Sequence, residues 1–154
     1  MRSGSNMRPL AVVMLMGFFG SLFGCSKGDG DKPQRYVRES AFRENLAKQT
    51  TMSPQTVAQL RKHGVTHEAN LKLEFFFYTD HVAKGQALAK SLQDLQYKVE
   101  CGPAADDSRS VLVTGWTTPL KMSEDSVVAW TEKMCRLGYE HDCEFDGWGT
   151  NPSQ

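Results

Sequence analysis

Residues 70–151 predict an α+β domain, a ferredoxin-like βαββαβ sandwich whose four-stranded antiparallel sheet carries two helices on one face, preceded by one or two short helices. Three observations point there. An aromatic strand, Leu71 to Tyr78, stands ahead of a helical pattern; two strand patterns then follow with no helix between them; a second helical pattern and a short strand close the segment. Two right-handed crossovers interleaved in that order put strands 71–78 and 110–116 at the centre of the sheet.

Each element has a local cause. Residues 37–48 hold Val37, Phe42 and Leu46 among many charges, the thin apolar stripe of a short amphipathic helix. The next helix, 54–63, is better marked: Ser53 can cap it, Pro54 takes the first helical position, Val57 and Leu60 repeat, and Gly64 follows Arg61-Lys62-His63. In the aromatic strand Leu71, Leu73, Phe75 and Phe77 share one face, and Lys72, Glu74, Phe76 and Tyr78 the other. Thr79 or Asp80 caps a helix through Gln96, with Val82, Leu88, Leu92 and Leu95 near one stripe. Strand Tyr97–Cys101, a turn at 102–107 and strand Ser110–Trp116 come next, the last with Val111 and Val113 opposite Leu112 and Trp116. Ser123, Asp125 and Ser126 open a helix carrying Val127, Trp130, Met134 and Leu137 to a stop at Gly138. Cys143 to Phe145 forms the final short strand, before Asp146-Gly147.

That arrangement leaves Phe76, Tyr78, Leu112 and Trp116 on the sheet face away from the two helices. Together they make a larger apolar patch than a free monomer ordinarily exposes. The simplest expectation is that the helices of 37–63 fold back over it. The other is a binding face for a protein partner or a second copy of the chain. Bases can stack on aromatic sheet faces, but Glu74 and Glu144 flank this one, so nucleic acid is not the expected ligand.

Ahead of the domain, Arg2 and Arg8 precede an apolar run from Leu10 to Phe23, which is too short to span a bilayer. Leu22-Phe23-Gly24-Cys25 resembles the bacterial lipobox. The resemblance implies cleavage after residue 24, lipidation of Cys25 and anchoring in the envelope, facing the periplasm. Ser26 after the cysteine implies the outer membrane. The organisation read from the chain is therefore a signal peptide at 1–24, a flexible tether at 25–35, a helical segment at 36–65 and the domain at 70–151. Removing residues 1–24 leaves 16 basic against 18 acidic side chains, so no bulk positive charge recruits nucleic acid.

Three further cysteines, Cys101, Cys135 and Cys143, would sit in an oxidising compartment. Cys135 and Cys143, eight apart, are the pair expected to be able to close. A zinc site joining His141 to these thiols ordinarily needs a close C-x-x-C pair, which is lacking, so no metal is expected. No nucleophile elbow, phosphate loop or His-Glu-x-x-His motif occurs. The four histidines fall near element ends, and Asp106-Asp107 and Glu144-x-Asp146 are explained by turns and strand alternation. Neither an enzyme nor a cofactor is expected.

The ending Glu144-Phe145-Asp146-Gly147-Trp148-Gly149-Thr150, with Leu73-Glu74-Phe75-Phe76-Phe77-Tyr78 and Leu60-Arg61-Lys62-His63-Gly64, resembles the RraB family over about residues 52–151. The resemblance implies a ferredoxin-like domain that restrains ribonuclease E by binding it, without catalytic residues. For Asp146, Gly147, Trp148 and Gly149 the physical expectation is a closing corner: the glycines at positive φ, Asp146 bonding nearby amides and Trp148 plugging the sheet edge. Ribonuclease E is cytoplasmic, whereas the lipobox places the chain outside. The expected function is a membrane-anchored RraB-like domain binding an envelope protein. The alternative is inhibition of ribonuclease E by a cytoplasmic form.

Overall fold

The computed structural model describes residues 34–105 and 107–153; Cys25, the apolar run, most of the expected tether and Asp106 lie outside the described residues. Three helices and six strands follow in the order α1 (Glu39–Lys62), β1 (Asn70–Leu71), β2 (Glu74–Thr79), α2 (Val82–Asp94), β3 (Lys98–Pro103), β4 (Val111–Trp116), β5 (Leu120–Lys121), α3 (Glu124–Glu140) and β6 (Glu144–Gly149). Strands β3, β4, β2 and β6 form one antiparallel sheet in that spatial order, with β2 and β4 central as the sequence predicts. The fold is α+β and ferredoxin-like in its strand and helix order. A two-stranded ribbon of β1 and β5, not foreseen, breaks the long strand expected from residue 71.

Strand alternation builds the core. Phe75 and Phe77 of β2, Val113 of β4 and Phe145 of β6 turn to one side and meet Leu88 and Leu92 of α2 and Val127 and Met134 of α3, all essentially removed from solvent. At about 1.5 to 3 kcal/mol for each fully buried large apolar side chain, this layer is the main source of stability. Phe77 and Phe145 sit 5.0 Å apart across the strand pair, and Trp130 stands edge-on to Phe145.

Helix α1 differs from expectation in continuity and in place. It is one helix of 24 residues that runs through Pro54. A proline there removes the N–H that would bond the Thr50 carbonyl, a cost that local sequence alone would not bear. Tertiary bonds hold the segment helical: the buried Ser53 hydroxyl, expected as a cap, lies 2.8 Å from Thr131 Oγ1 and accepts from Trp148 Nε1 at 2.9 Å. Val57 and Leu60 enter the core, and Phe42 stacks on Tyr139 of α3 with ring centroids 4.2 Å apart. Asn45 Nδ2 and Gln49 Nε2 donate to the Phe145 and Asp146 carbonyls of β6 at 2.8 and 2.9 Å. Helix α1 therefore lies along α3 and caps the edge strand. It does not fold back over the sheet face that carries Phe76 and Trp116.

The other corrections are at element ends. His81, rather than Thr79 or Asp80, caps α2, its Nδ1 accepting from Ala83 N at 3.3 Å, and Val82, expected on the apolar stripe, is exposed. Ser123 caps α3 as predicted, accepting from Ser126 N. Gly138 does not stop that helix. It is buried inside it, where an added Cβ would lie 2.7 Å from the Cys143 carbonyl and 2.8 Å from Phe77. All three helices close with the paired bonds of a Schellman motif, seen in Val65, Tyr97 and Cys143 donating to Leu60, Leu92 and Gly138. The left-handed residue of the last two is Gln96 (φ 65°) or Asp142 (φ 58°), not glycine.

Candidate functional site

Strand register defines the surface opposite the helices. Paired residues point to the same side, so three rows cross it: Lys98, Trp116, Glu74 and Gly149; Glu100, Thr114, Phe76 and Gly147; Gly102, Leu112, Tyr78 and Glu144. The structure thus brings Phe76, Tyr78, Leu112 and Trp116 together on the two central strands, each of them half-buried. Alternation along each strand made these four legible. Lys98, Glu100 and Thr114 were missed, because pairing register is needed to place them beside the aromatic residues.

Carboxylates dominate the polar part of this face. Burial pushes the Glu74 carboxyl above its ordinary range. Burial and the neighbouring Asp146 charge do the same to Glu144, partly offset by the Lys48 ammonium; burial raises Asp146 likewise, again against Lys48. Lys98 is the only cation within the three rows.

The Asp146-Gly147-Trp148-Gly149 corner is a β-bulge inside β6. Phe145 pairs with Phe77 and Gly147 with Phe76, leaving Asp146 as the extra residue. Gly147 has φ +140°, a conformation that side-chain-bearing residues rarely adopt. The bulge reverses the alternation. Phe145 and Trp148, three apart, would point to opposite sides of a regular strand, yet Trp148 turns inward beside Trp130, their centroids 6.3 Å apart. Trp148 therefore packs under α1 instead of joining the open face. Gly149 adopts no positive φ and pairs with Glu74 as an ordinary strand residue. The Asp146 group that bonds is its carbonyl, to Gln49, not its carboxylate. Helix α1 and this corner border a shallow cleft lined by Lys48, Gln49, Met52, Ser53, Asp146 and Trp148.

At the other end of β6 the chain's entry is clasped. Asp142 accepts the Tyr36 and Val37 amides at 3.0 and 2.9 Å, Lys84 Nζ lies 2.7 Å from its carboxylate, and Arg35 Nε 3.5 Å. The Arg35 guanidinium also donates to the Tyr139 carbonyl and lies 4.2 Å from that ring's centroid. Burial opposes ionisation of Asp142, but the Lys84 bond and the two amides prevail and hold its carboxyl below the usual range. Burial and the Glu144 and Asp80 charges raise the Tyr36 phenol.

Cys135 and Cys143 are both buried free thiols, so the expected pairing between them is not formed; Cys101 is free and exposed. Burial pushes Cys135 up to about 12 and Cys143 up to about 11, which keeps both protonated and unreactive at neutral pH. His141, considered beside these thiols, has its Nε2 2.9 Å from Ser91 Oγ. No described helix is long and apolar enough to cross a membrane.

A small α+β module that presents a half-exposed aromatic face edged with carboxylates has the form of a binding domain. The family model described as Regulator of ribonuclease activity B matches residues 50–150, most of the chain, and the chain belongs to that family. The match begins midway along α1 and takes in every strand, α2 and α3. It is a family of protein-binding regulators rather than of enzymes. No curated protein matches the chain.

Proposed function

We propose that the protein is a non-enzymatic RraB-family binding domain, held on the periplasmic side of a bacterial membrane by lipidated Cys25 and acting on an envelope protein. The observation that carries the binding role is the sheet face of Phe76, Tyr78, Leu112 and Trp116, which α1 leaves uncovered. The lipobox-like Leu22-Phe23-Gly24-Cys25 supports the anchor. More than one acyl chain would be required, since a single chain binds membranes only marginally. From Cys25 to the clasped Arg35 the chain reaches at most roughly 35 Å when fully extended, so the domain would work close to its membrane.

Recovery of partners from solubilised membranes tests the face. Wild type should retain a protein that Trp116→Asp loses, with both variants folded by circular dichroism. Equal recovery of every partner by the two would sink this use of the face.

The family match favours one other reading, regulation of ribonuclease E by a cytoplasmic form translated from Met7 or retained after failed export. It predicts unprocessed soluble protein and slower ribonuclease E cleavage in a purified assay. No effect at excess protein would reject it.

A further inference from the structure

We infer that the open sheet face takes a cationic protein segment in which arginine or lysine side chains flank a large apolar residue. The inference rests on the protein-binding reading above and names the chemistry of its partner. Phe76, Leu112 and Trp116 supply the apolar seat, and each row ends or begins in a glycine or a charged residue. Gly102 beside Leu112 has no side chain to wall off that seat, so an apolar anchor can reach it from the β3 edge, whereas α1 borders the β6 edge at Gly147.

Charge selects the rest of the partner. Glu74, Glu100 and Glu144 stand on three sides of the apolar residues, with Lys98 the cation within the rows, and at the β6 rim Lys48 partly offsets both Glu144 and Asp146. Glu74 is half-buried beside Trp116, and Glu100 and Glu144 stand exposed at the two sheet edges. A guanidinium or ammonium group from outside would pair with them. A second copy docking face to face would bring three carboxylates against three. Anionic lipid and nucleic acid meet the same repulsion.

Short synthetic peptides test this on the purified full chain in neutral detergent. One has arginines flanking leucine; its control has glutamate at each arginine. Binding is read by fluorescence anisotropy for wild type, for Glu74→Gln/Glu100→Gln/Glu144→Gln, and for Glu39→Gln/Glu124→Gln/Glu140→Gln on the helical side. The arginine peptide should bind wild type, lose about tenfold or more on the open-face triple variant, and change within about twofold on the helical-side triple. Equal losses on the two triples, equal binding of the glutamate peptide, or no binding at all would overturn the inference. In the membrane capture, a partner lost by Trp116→Asp but kept by the open-face triple overturns the cationic chemistry and leaves the binding face standing. A partner kept by both overturns the face itself.

Discussion

The indole N–H of Trp148 donates to the Ser53 hydroxyl at 2.9 Å, and the same hydroxyl lies 2.8 Å from Thr131 Oγ1. One buried oxygen thus joins β6, α1 and α3. Ser53→Ala leaves the Trp148 N–H without its acceptor and takes one of two bonds from the Thr131 hydroxyl, which still donates to the Val127 carbonyl; it should cost about 1–3 kcal/mol, read by urea denaturation. Trp148→Phe, which keeps a ring but removes one donor, should cost less. Equal stability of Ser53→Ala and wild type would show that the junction does not hold α1 in place.

Gly147 carries the bulge that turns Trp148 inward. Gly147→Ala meets no close atom, its added Cβ lying 3.7 Å from Gln49 Oε1, so its cost is backbone strain at φ +140°. A loss of about 1–3 kcal/mol is expected in the same denaturation experiment. Gln96→Gly should act in the opposite sense, because Gln96 occupies a left-handed helix end that glycine takes without strain; a gain of about 0.5–1 kcal/mol is expected.

Asp142 links the entering segment to the domain, and its depressed pKa fixes the sign of its pH dependence. The unfolded carboxyl binds a proton more readily than the folded one, so the stabilisation is complete above the ordinary aspartate pKa of about 3.9 and is lost as pH falls through the lower folded value. Asp142→Asn should therefore be less stable than wild type at neutral pH, with the gap closing below about pH 4. Glu74, Glu144 and Asp146 shift the other way and lose a penalty as acid protonates them. They are present in both proteins, so the difference between the two isolates Asp142. A gap that does not change with pH would contradict the clasp.

The thiols make a chemical test of the core. At pH 8 an alkylating reagent should label Cys101 in the native protein and reach Cys135 and Cys143 only after unfolding, because burial keeps those two protonated. Mass spectrometry of tryptic peptides reads the order. Simultaneous labelling of all three would contradict the buried placement.

Much of the fold was legible because its causes are local. Alternation in Phe75-Phe76-Phe77-Tyr78 separates core from open face without any partner strand, and Ser123 announces α3 through its own hydroxyl. What escaped depends on distant residues. Ser53-Pro54 has the local form of a helix start, and only Thr131 and Trp148, 78 and 95 residues away, make it the middle of α1. Asp146-Gly147 has the form of a turn, and only the register with Phe76 and Phe77 makes it a bulge within β6. The open face was found by periodicity. Its acidic setting at Glu100, and the failure of α1 to cover it, required the sheet order and the bonds from Asn45 and Gln49 to β6.

Flotation of carbonate-washed membranes from cells producing the full chain tests the proposed function most directly. Wild type should rise with the lipid fraction and Cys25→Ser should remain in the soluble fraction. A wild-type chain that stays soluble, or a Cys25→Ser chain that floats equally well, would contradict a domain that binds its partner from a lipid anchor.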